Sequence, residues 1–233
     1  MKKTVKAILL HRISYSESSL ILTFYTFENG IQKFIFQGGK KKVNQLFPLA
    51  LSEITYYKRP DSTLGKISSS DSYHPLSNLP FHPIKSTIAF FVAEVLLKCL
   101  QTEESEKAFY LFIENEIINL DKEEDVSFFP ILFLLKLSYH MGIYPNTVSE
   151  PFLYFNLMEG EIGSIKPIGD IFHEGNAVNL LSKLIANQTI DKEDFSKQIR
   201  NEALQILIQY FQIHIPKFNQ LNSLEVIREI LYT

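Results

Sequence analysis

One cysteine and no tryptophan occur in 233 residues. A lone Cys99 excludes an intrachain disulfide and any multi-cysteine zinc site. It stands in an apolar helical run, where a buried, inert thiol is expected. With Trp absent and 19 Phe and 11 Tyr present, the cores are expected to be Phe-rich. No hydrophobic run is long enough to span a bilayer, because the most apolar stretch, 128–137, is interrupted by Pro130 and Lys136. The apolar residues that follow Met1-Lys2-Lys3 are soon broken by His11 and Arg12, so no signal-peptide segment forms. There is no internal repeat and no low-complexity tract. A soluble intracellular protein without a membrane partner is the expectation, and 45% hydrophobic with 21% charged residues argues against disorder.

The charge is split. Residues 1–80 hold 11 Lys and Arg against 5 Asp and Glu, whereas residues 81–233 hold 12 against 21. The net charge of −3 hides this division. The basic part reads as short strands and the acidic part as helices. A small basic β-module on an acidic helical body suggests one surface for a polyanion and another for protein partners.

Strands are predicted over 4–13, 20–27, 31–36, 49–58 and 64–70, the fourth closed by Pro60-Asp61. Glu28-Asn29-Gly30 is a hairpin signal between the second and third. In the third strand, Ile31, Lys33 and Ile35 share one face, and Gln32, Phe34 and Phe36 the other. Such a pattern suits a five-stranded barrel of OB type, with an SH3-like barrel as the rival. Pro75, Pro80 and Pro83 make a natural hinge into the helical part. Helices follow over 84–100, 109–120 and 130–141, the last apolar nearly all round and read as a buried central helix with Gly142 as its C-terminal stop. Residues 151–172 lose helical periodicity and read as a hairpin or an irregular loop. Helical patterns return at 177–185, 202–215 and 223–231.

Four candidate chemistries arise. Lys33, Lys40, Lys41, Lys42, Lys58 and Arg59 lie on or beside strands that carry Phe34, Phe36, Tyr56 and Tyr57. Cations for phosphates and ring faces for bases are what single-strand binding needs. The same residues also fit a solvated lysine loop over a Phe-rich core, and composition leaves both readings open. Gly38-Gly39-Lys40-Lys41-Lys42 lacks the spacing of a nucleotide-hydrolysing phosphate loop. The six histidines are scattered without metal-ligand spacing, Glu159 and Glu161 fit a hairpin turn better than an acid–base pair, and no G-x-S-x-G is present. No catalytic residue and no metal ligand is assigned. Glu103, Glu104, Glu106 and Asp121 to Asp125 read as solvated helix boundaries.

With those residues placed, the chain resembles the RecO family of bacterial DNA repair proteins from end to end. The resemblance begins at Lys6-Ala7-Ile8-Leu9-Leu10-His11-Arg12 and Tyr15-Ser16-Glu17-Ser18-Ser19-Leu20-Ile21-Leu22. It continues through Gly30-Ile31, Gly38-Gly39-Lys40-Lys41 and His74-Pro75-Leu76. His140-Met141-Gly142-Ile143-Tyr144-Pro145 is similar to the family's "LGxxP" element, and Tyr210-Phe211 to His214 with Ser223 to Ile227 to its closing helices. Many relatives carry a four-cysteine zinc site after that element. Here 151–172, a degenerate zinc-finger region, has no cysteine, so no zinc and no other cofactor is expected.

The resemblance implies an α+β architecture, with an OB-fold DNA-binding domain over 1–79 and a mostly α-helical domain over 80–233. It implies a recombination mediator, not an enzyme, in the cytoplasm and associated with the nucleoid. Such a protein binds single- and double-stranded DNA, anneals complementary strands and, with RecR, helps to load RecA onto strands coated by the single-strand-binding protein, whose C-terminal tail is a further partner. The DNA site is expected at Lys33, Lys40, Lys41, Lys42, Lys58 and Arg59, joined by Lys2, Lys3 and Arg12 if the first strand lies beside that face. Phe34, Phe36, Tyr56 and Tyr57 are stacking candidates, of which alternation lets only some face out. The alternative is a protein-interaction scaffold whose small barrel binds protein.

Overall fold

The computed structural model describes residues 2–59, 62–100, 105–169 and 171–232. They form two compact units, Met1–Glu124 and Asp125–Thr233. The first opens with five strands, β1 (Lys3–Ser14), β2 (Leu20–Thr26), β3 (Gly30–Phe36), β4 (Leu51–Tyr57) and β5 (Leu64–Ser72). They close into a barrel in the order β1-β2-β3-β5-β4, as expected for the OB type. All pairs are antiparallel except β3 with β5. The Pro60-Asp61 closure of the fourth strand lies outside the described residues.

Alternation decides what fills the barrel. Val5, Ala7, Leu9, Leu22, Phe24, Phe34, Phe36, Ile54, Tyr56 and Ile67 point inward and are buried together. The ring of Phe34 meets Tyr56 edge-on at 4.8 Å and Phe24 at 6.1 Å. It also lies against β5 at Gly65, which leaves it room: a Cβ there would stand 2.5 Å from Phe34 Cδ1. Between β3 and β4 the lysine segment is not an open loop but a 3-10 turn, Gly39–Gln45.

Two helices complete this unit. α1 (Pro83–Cys99) starts on a proline in its first turn, where the missing N–H costs nothing, and packs against β1. α2 (Lys107–Lys122) brings Phe109 and Tyr110 onto Tyr25 of β2, at 5.9 and 5.8 Å between ring centroids. Tyr73, just beyond β5, donates to Glu114 of α2 at 2.5 Å and shares a hydrogen bond with Tyr110 at 3.1 Å. Cys99 is buried, and burial pushes its thiol up to about 12, in keeping with an inert core residue.

The proline-rich segment is not a free hinge. The Asp121 carboxylate accepts the backbone N–H groups of Ser77 (3.1 Å), Asn78 (2.8 Å) and Leu79 (2.6 Å). Its carbonyl accepts Lys85 Nζ at 2.8 Å and Asn78 Nδ2 at 2.9 Å. Asp121 is therefore a buried anchor and not a solvated helix boundary. Asp125, from the same acidic run, pairs with Lys192 at 2.7 Å, and Glu103 and Glu104 lie outside the described residues.

The second unit holds α3 (Phe129–His140), α4 (Asn176–Ile185), α5 (Lys197–His214) and α6 (Leu224–Tyr232). α5 is the hub, with the other three packed on it. The central place expected for α3 thus falls to α5, and α3 keeps Leu132, Lys136 and Tyr139 exposed. Gly142, at φ 72°, ends α3 as expected, in a left-handed turn where Gly142 N–H reaches Tyr139 O and Ile143 N–H reaches Ser138 O. Four short strands, β6 (Asn146–Thr147), β7 (Tyr154–Asn156), β8 (Glu161–Gly163) and β9 (Phe172–Glu174), form a sheet in the order β6-β8-β7-β9. Its centre is the β7–β8 hairpin, turning through Glu159-Gly160.

Candidate nucleic-acid interface

The outside of the barrel has two sides of different character. On one, Ile8, Tyr25 and Leu51 sit opposite one another across β2, β1 and β4 and are buried although they point outward. The apolar rings of α2 and the packing of α1 on β1 account for that burial. The other side, formed by β3, β5 and the end of β4, carries Lys33, Lys66, Ser68 and Tyr57, all exposed.

The register places these residues in rows. Lys66 is opposite Tyr57 on β4 and opposite Ile35 on β3. Lys33 is opposite Leu64, one row along. Lys3 pairs with Tyr56, which brings Lys2 and Lys3 to the end of β4 where Lys58 and Arg59 leave the barrel. Lys58 Nζ is steadied by Gln32 Oε1 at 2.6 Å. Among the described residues neither Lys33 nor Lys66 has a carboxylate partner. Closely spaced cations without such partners form a region of positive potential suited to phosphates.

Lys40, Lys41 and Lys42 stand apart from this cluster. Lys42 lies beside Ser70 and Asp71, five residues along β5 from Lys66, or roughly 17 Å at the rise of a strand. The 3-10 turn that carries them is clamped. Arg12 Nη1 donates to Val43 O at 2.8 Å and to Leu46 O at 2.5 Å, and Lys40 N–H donates to Ser18 O at 3.2 Å. Arg12 therefore shapes the turn rather than standing free for a phosphate. Lys42 pairs with Asp71 at 3.2 Å, while the Lys41 side chain is exposed. Tyr15, in the β1–β2 turn, is 62% exposed close to the segment that Lys40 touches.

The expected site thus divides. Lys2, Lys3, Lys33, Lys58, Arg59 and Tyr57 gather at one end, and Lys40, Lys41, Lys42 and Arg12 at the other. Three stacking candidates are corrected: Phe34, Phe36 and Tyr56 are core residues, 0, 6 and 5% exposed, and present no ring face to a base. Among the described Phe and Tyr residues of the barrel strands, Tyr57 alone is exposed. Lys66 and Tyr15 were not among the expected site residues. The signal for Lys66 was the alternation Gly65-Lys66-Ile67, which sends the lysine outward between two inward positions.

The sheet of the second unit stands where the resemblance implies a zinc site in many relatives. Ser149 and Ser164 share a hydroxyl–hydroxyl hydrogen bond at 3.0 Å, and Ser149 Oγ accepts Ser164 N–H at 3.1 Å. Phe155, Leu157 and Ile162 are buried beneath, with Phe155 on Tyr210 at 5.5 Å. Lys166 lies over the rings of Tyr154 and Phe172. Serine hydroxyls, rings and an ammonium are not a zinc donor set. No three His, Cys, Asp or Glu among the described residues are grouped to hold a metal ion. His173 and His214 instead bond Gln209 and the Leu157 carbonyl. Among the described residues no helix is long and apolar enough to cross a membrane.

Comparison with known proteins adds a separate line of support. Residues 1–76 match the family described as "Recombination protein O N terminal" and residues 81–225 that described as "Recombination protein O C terminal". The chain is 32% identical to the DNA repair protein RecO of Phocaeicola vulgatus, over 99% of both chains. It is 30% identical to that of Bacteroides fragilis and 29% identical to that of Flavobacterium psychrophilum, again over 99% of each chain. The two matched regions meet in the segment that Asp121 anchors.

Proposed function

The chain belongs to the recombination protein O family, and from that premise we propose that it acts in DNA repair as a non-enzymatic recombination mediator. It binds single- and double-stranded DNA and anneals complementary strands. With RecR it helps to load RecA onto single strands coated by the single-strand-binding protein. Residues 1–79 serve as the DNA-binding domain. Residues 80–233 serve protein contacts, including the tail of the single-strand-binding protein. It works in the cytoplasm at the nucleoid, with no zinc or other cofactor.

The observation that carries this reading is the exposed basic side of an OB-type barrel, in a chain similar to RecO proteins along its whole length. A five-stranded barrel filled by its own side chains has no room for an internal ligand, so its binding surface is external. The mechanism is electrostatic. Lysines that neutralise phosphates on two strands release counterions and lower the repulsion between them, which lets complementary bases meet. The absence of a catalytic role follows from the same chemistry, since annealing needs charge neutralisation and no bond making.

Annealing of two complementary labelled oligonucleotides, followed by energy transfer, tests the proposal. Faster pairing with the protein at low salt, fading as salt rises, is the expected result. Pairing no faster than without protein at any salt would contradict it.

A further inference from the structure

The two sides of the barrel differ in one more respect. Tyr57 does not stand among its basic neighbours at random. Its register partner on β5 is Lys66, and in an antiparallel pair directly opposed side chains rise from the same face with Cβ atoms about 5 Å apart. Ile35 completes the row on β3, on the other side of Lys66, and is half-buried. Tyr57 is 45% exposed, and among the described residues no aromatic contact holds its ring, whereas Phe34 and Tyr56 are packed on each other.

From this row we propose that Tyr57 and Lys66 form a seat for one unpaired base and its phosphate, which makes this end of the barrel selective for single strands over duplex. The phenol ring stacks on a base face, and the ammonium of Lys66 holds the adjoining phosphate. Lys33, Lys58 and Arg59 guide the backbone on either side. A duplex keeps its bases stacked inside, so it gains from the lysines but not from the ring. Farther along the same outer face acids and bases balance, with Lys6 opposite Glu53 and Lys42 paired with Asp71. Glu53 is opposite Asp71, and both are exposed. This row of balanced charge lies between the seat and the turn that carries Lys40 and Lys41. The inference rests on the DNA-binding reading above and adds to it the kind of DNA and the residues that distinguish it.

The test is fluorescence anisotropy with two probes, a labelled deoxythymidine oligonucleotide and a labelled hairpin duplex. Tyr57→Thr keeps a residue that favours a strand while removing the ring, and melting at the wild-type temperature shows that the barrel is intact. Tyr57→Thr should weaken single-strand binding at least about fivefold and leave duplex binding within about twofold. Tyr57→Phe should retain wild-type binding. Lys66→Ala should weaken both probes and make the salt dependence shallower by about one unit of slope. Equal affinity of Tyr57→Thr and wild type for the single strand, or equal losses on both probes, would overturn the seat while leaving the DNA-binding reading intact. Failure of the wild-type protein to bind either probe would overturn both.

Discussion

Lys42 is held between two acceptors on β5, the Ser70 carbonyl at 2.9 Å and the Asp71 carboxylate at 3.2 Å. Its charge is thus shared with an internal anion, whereas Lys41 beside it is exposed to solvent. The side chains of the pair are 39 and 72% exposed, so the pair adds under about 1 kcal/mol to stability. Its larger consequence is competition with phosphate. Asp71→Asn should tighten single-strand binding about two- to fivefold at low salt, read by anisotropy. Changing Lys40, Lys41 and Lys42 together to Ala should weaken binding and reduce the salt slope by about two. An affinity untouched by the triple change would remove the 3-10 turn from the DNA surface.

Gly65 sets the inner geometry of the same strand. A methyl group there would press on Phe34 Cδ1 at 2.5 Å and Cε1 at 2.8 Å, and Phe34 is locked by Phe24 and Tyr56. Gly65→Ala should therefore destabilise the protein by about 1–3 kcal/mol through overpacking. Thermal melting checks it, and an unchanged melting temperature would show that the ring can move aside.

Asp121 predicts a pH dependence. Burial tends to raise its pKa, but the N–H groups of Leu79, Asn78 and Ser77, with the Ser77 hydroxyl, outweigh that and hold it below the usual carboxylate range. A carboxyl depressed in the folded state stabilises the fold above its unfolded value of about 4, and this contribution is lost as pH falls through the folded value. Asp121→Ala should cost about 3 kcal/mol near neutral pH, because several backbone donors lose their acceptor. The gap between variant and wild type should narrow below about pH 4. A gap independent of pH would mean that packing, not the carboxylate, is what the variant loses.

Much of the barrel was legible because its rules are local. The two-residue period of 31–36 separates Lys33 from Phe34 and Phe36, and Asn29-Gly30 marks the turn between β2 and β3. The burial of Phe34 follows from the same alternation, since Gln32, Phe34 and Phe36 share one face. That Tyr56 and not Tyr57 turns inward depends on pairing with Ile67, which lies in another strand. The 3-10 turn could not be read, because its clamps come from Arg12 and from Ser70 and Asp71, about thirty residues away on either side. Asp121 looked like one more acid in a charged run, and only the fold brings Ser77, Asn78 and Leu79 to it. The first turn of α5 was missed because Lys197 to Asn201 has little apolar periodicity; Ser196 starts it by accepting Ile199 N–H.

In the proposed function the basic barrel binds nucleic acid through its phosphates. Fluorescence-anisotropy titration of a labelled single strand across a salt series tests it most directly. Log affinity should fall linearly with log salt, with a slope worth several phosphates. No binding even at low salt would contradict it, and would leave the lysines as a solvated face on a barrel that contacts protein.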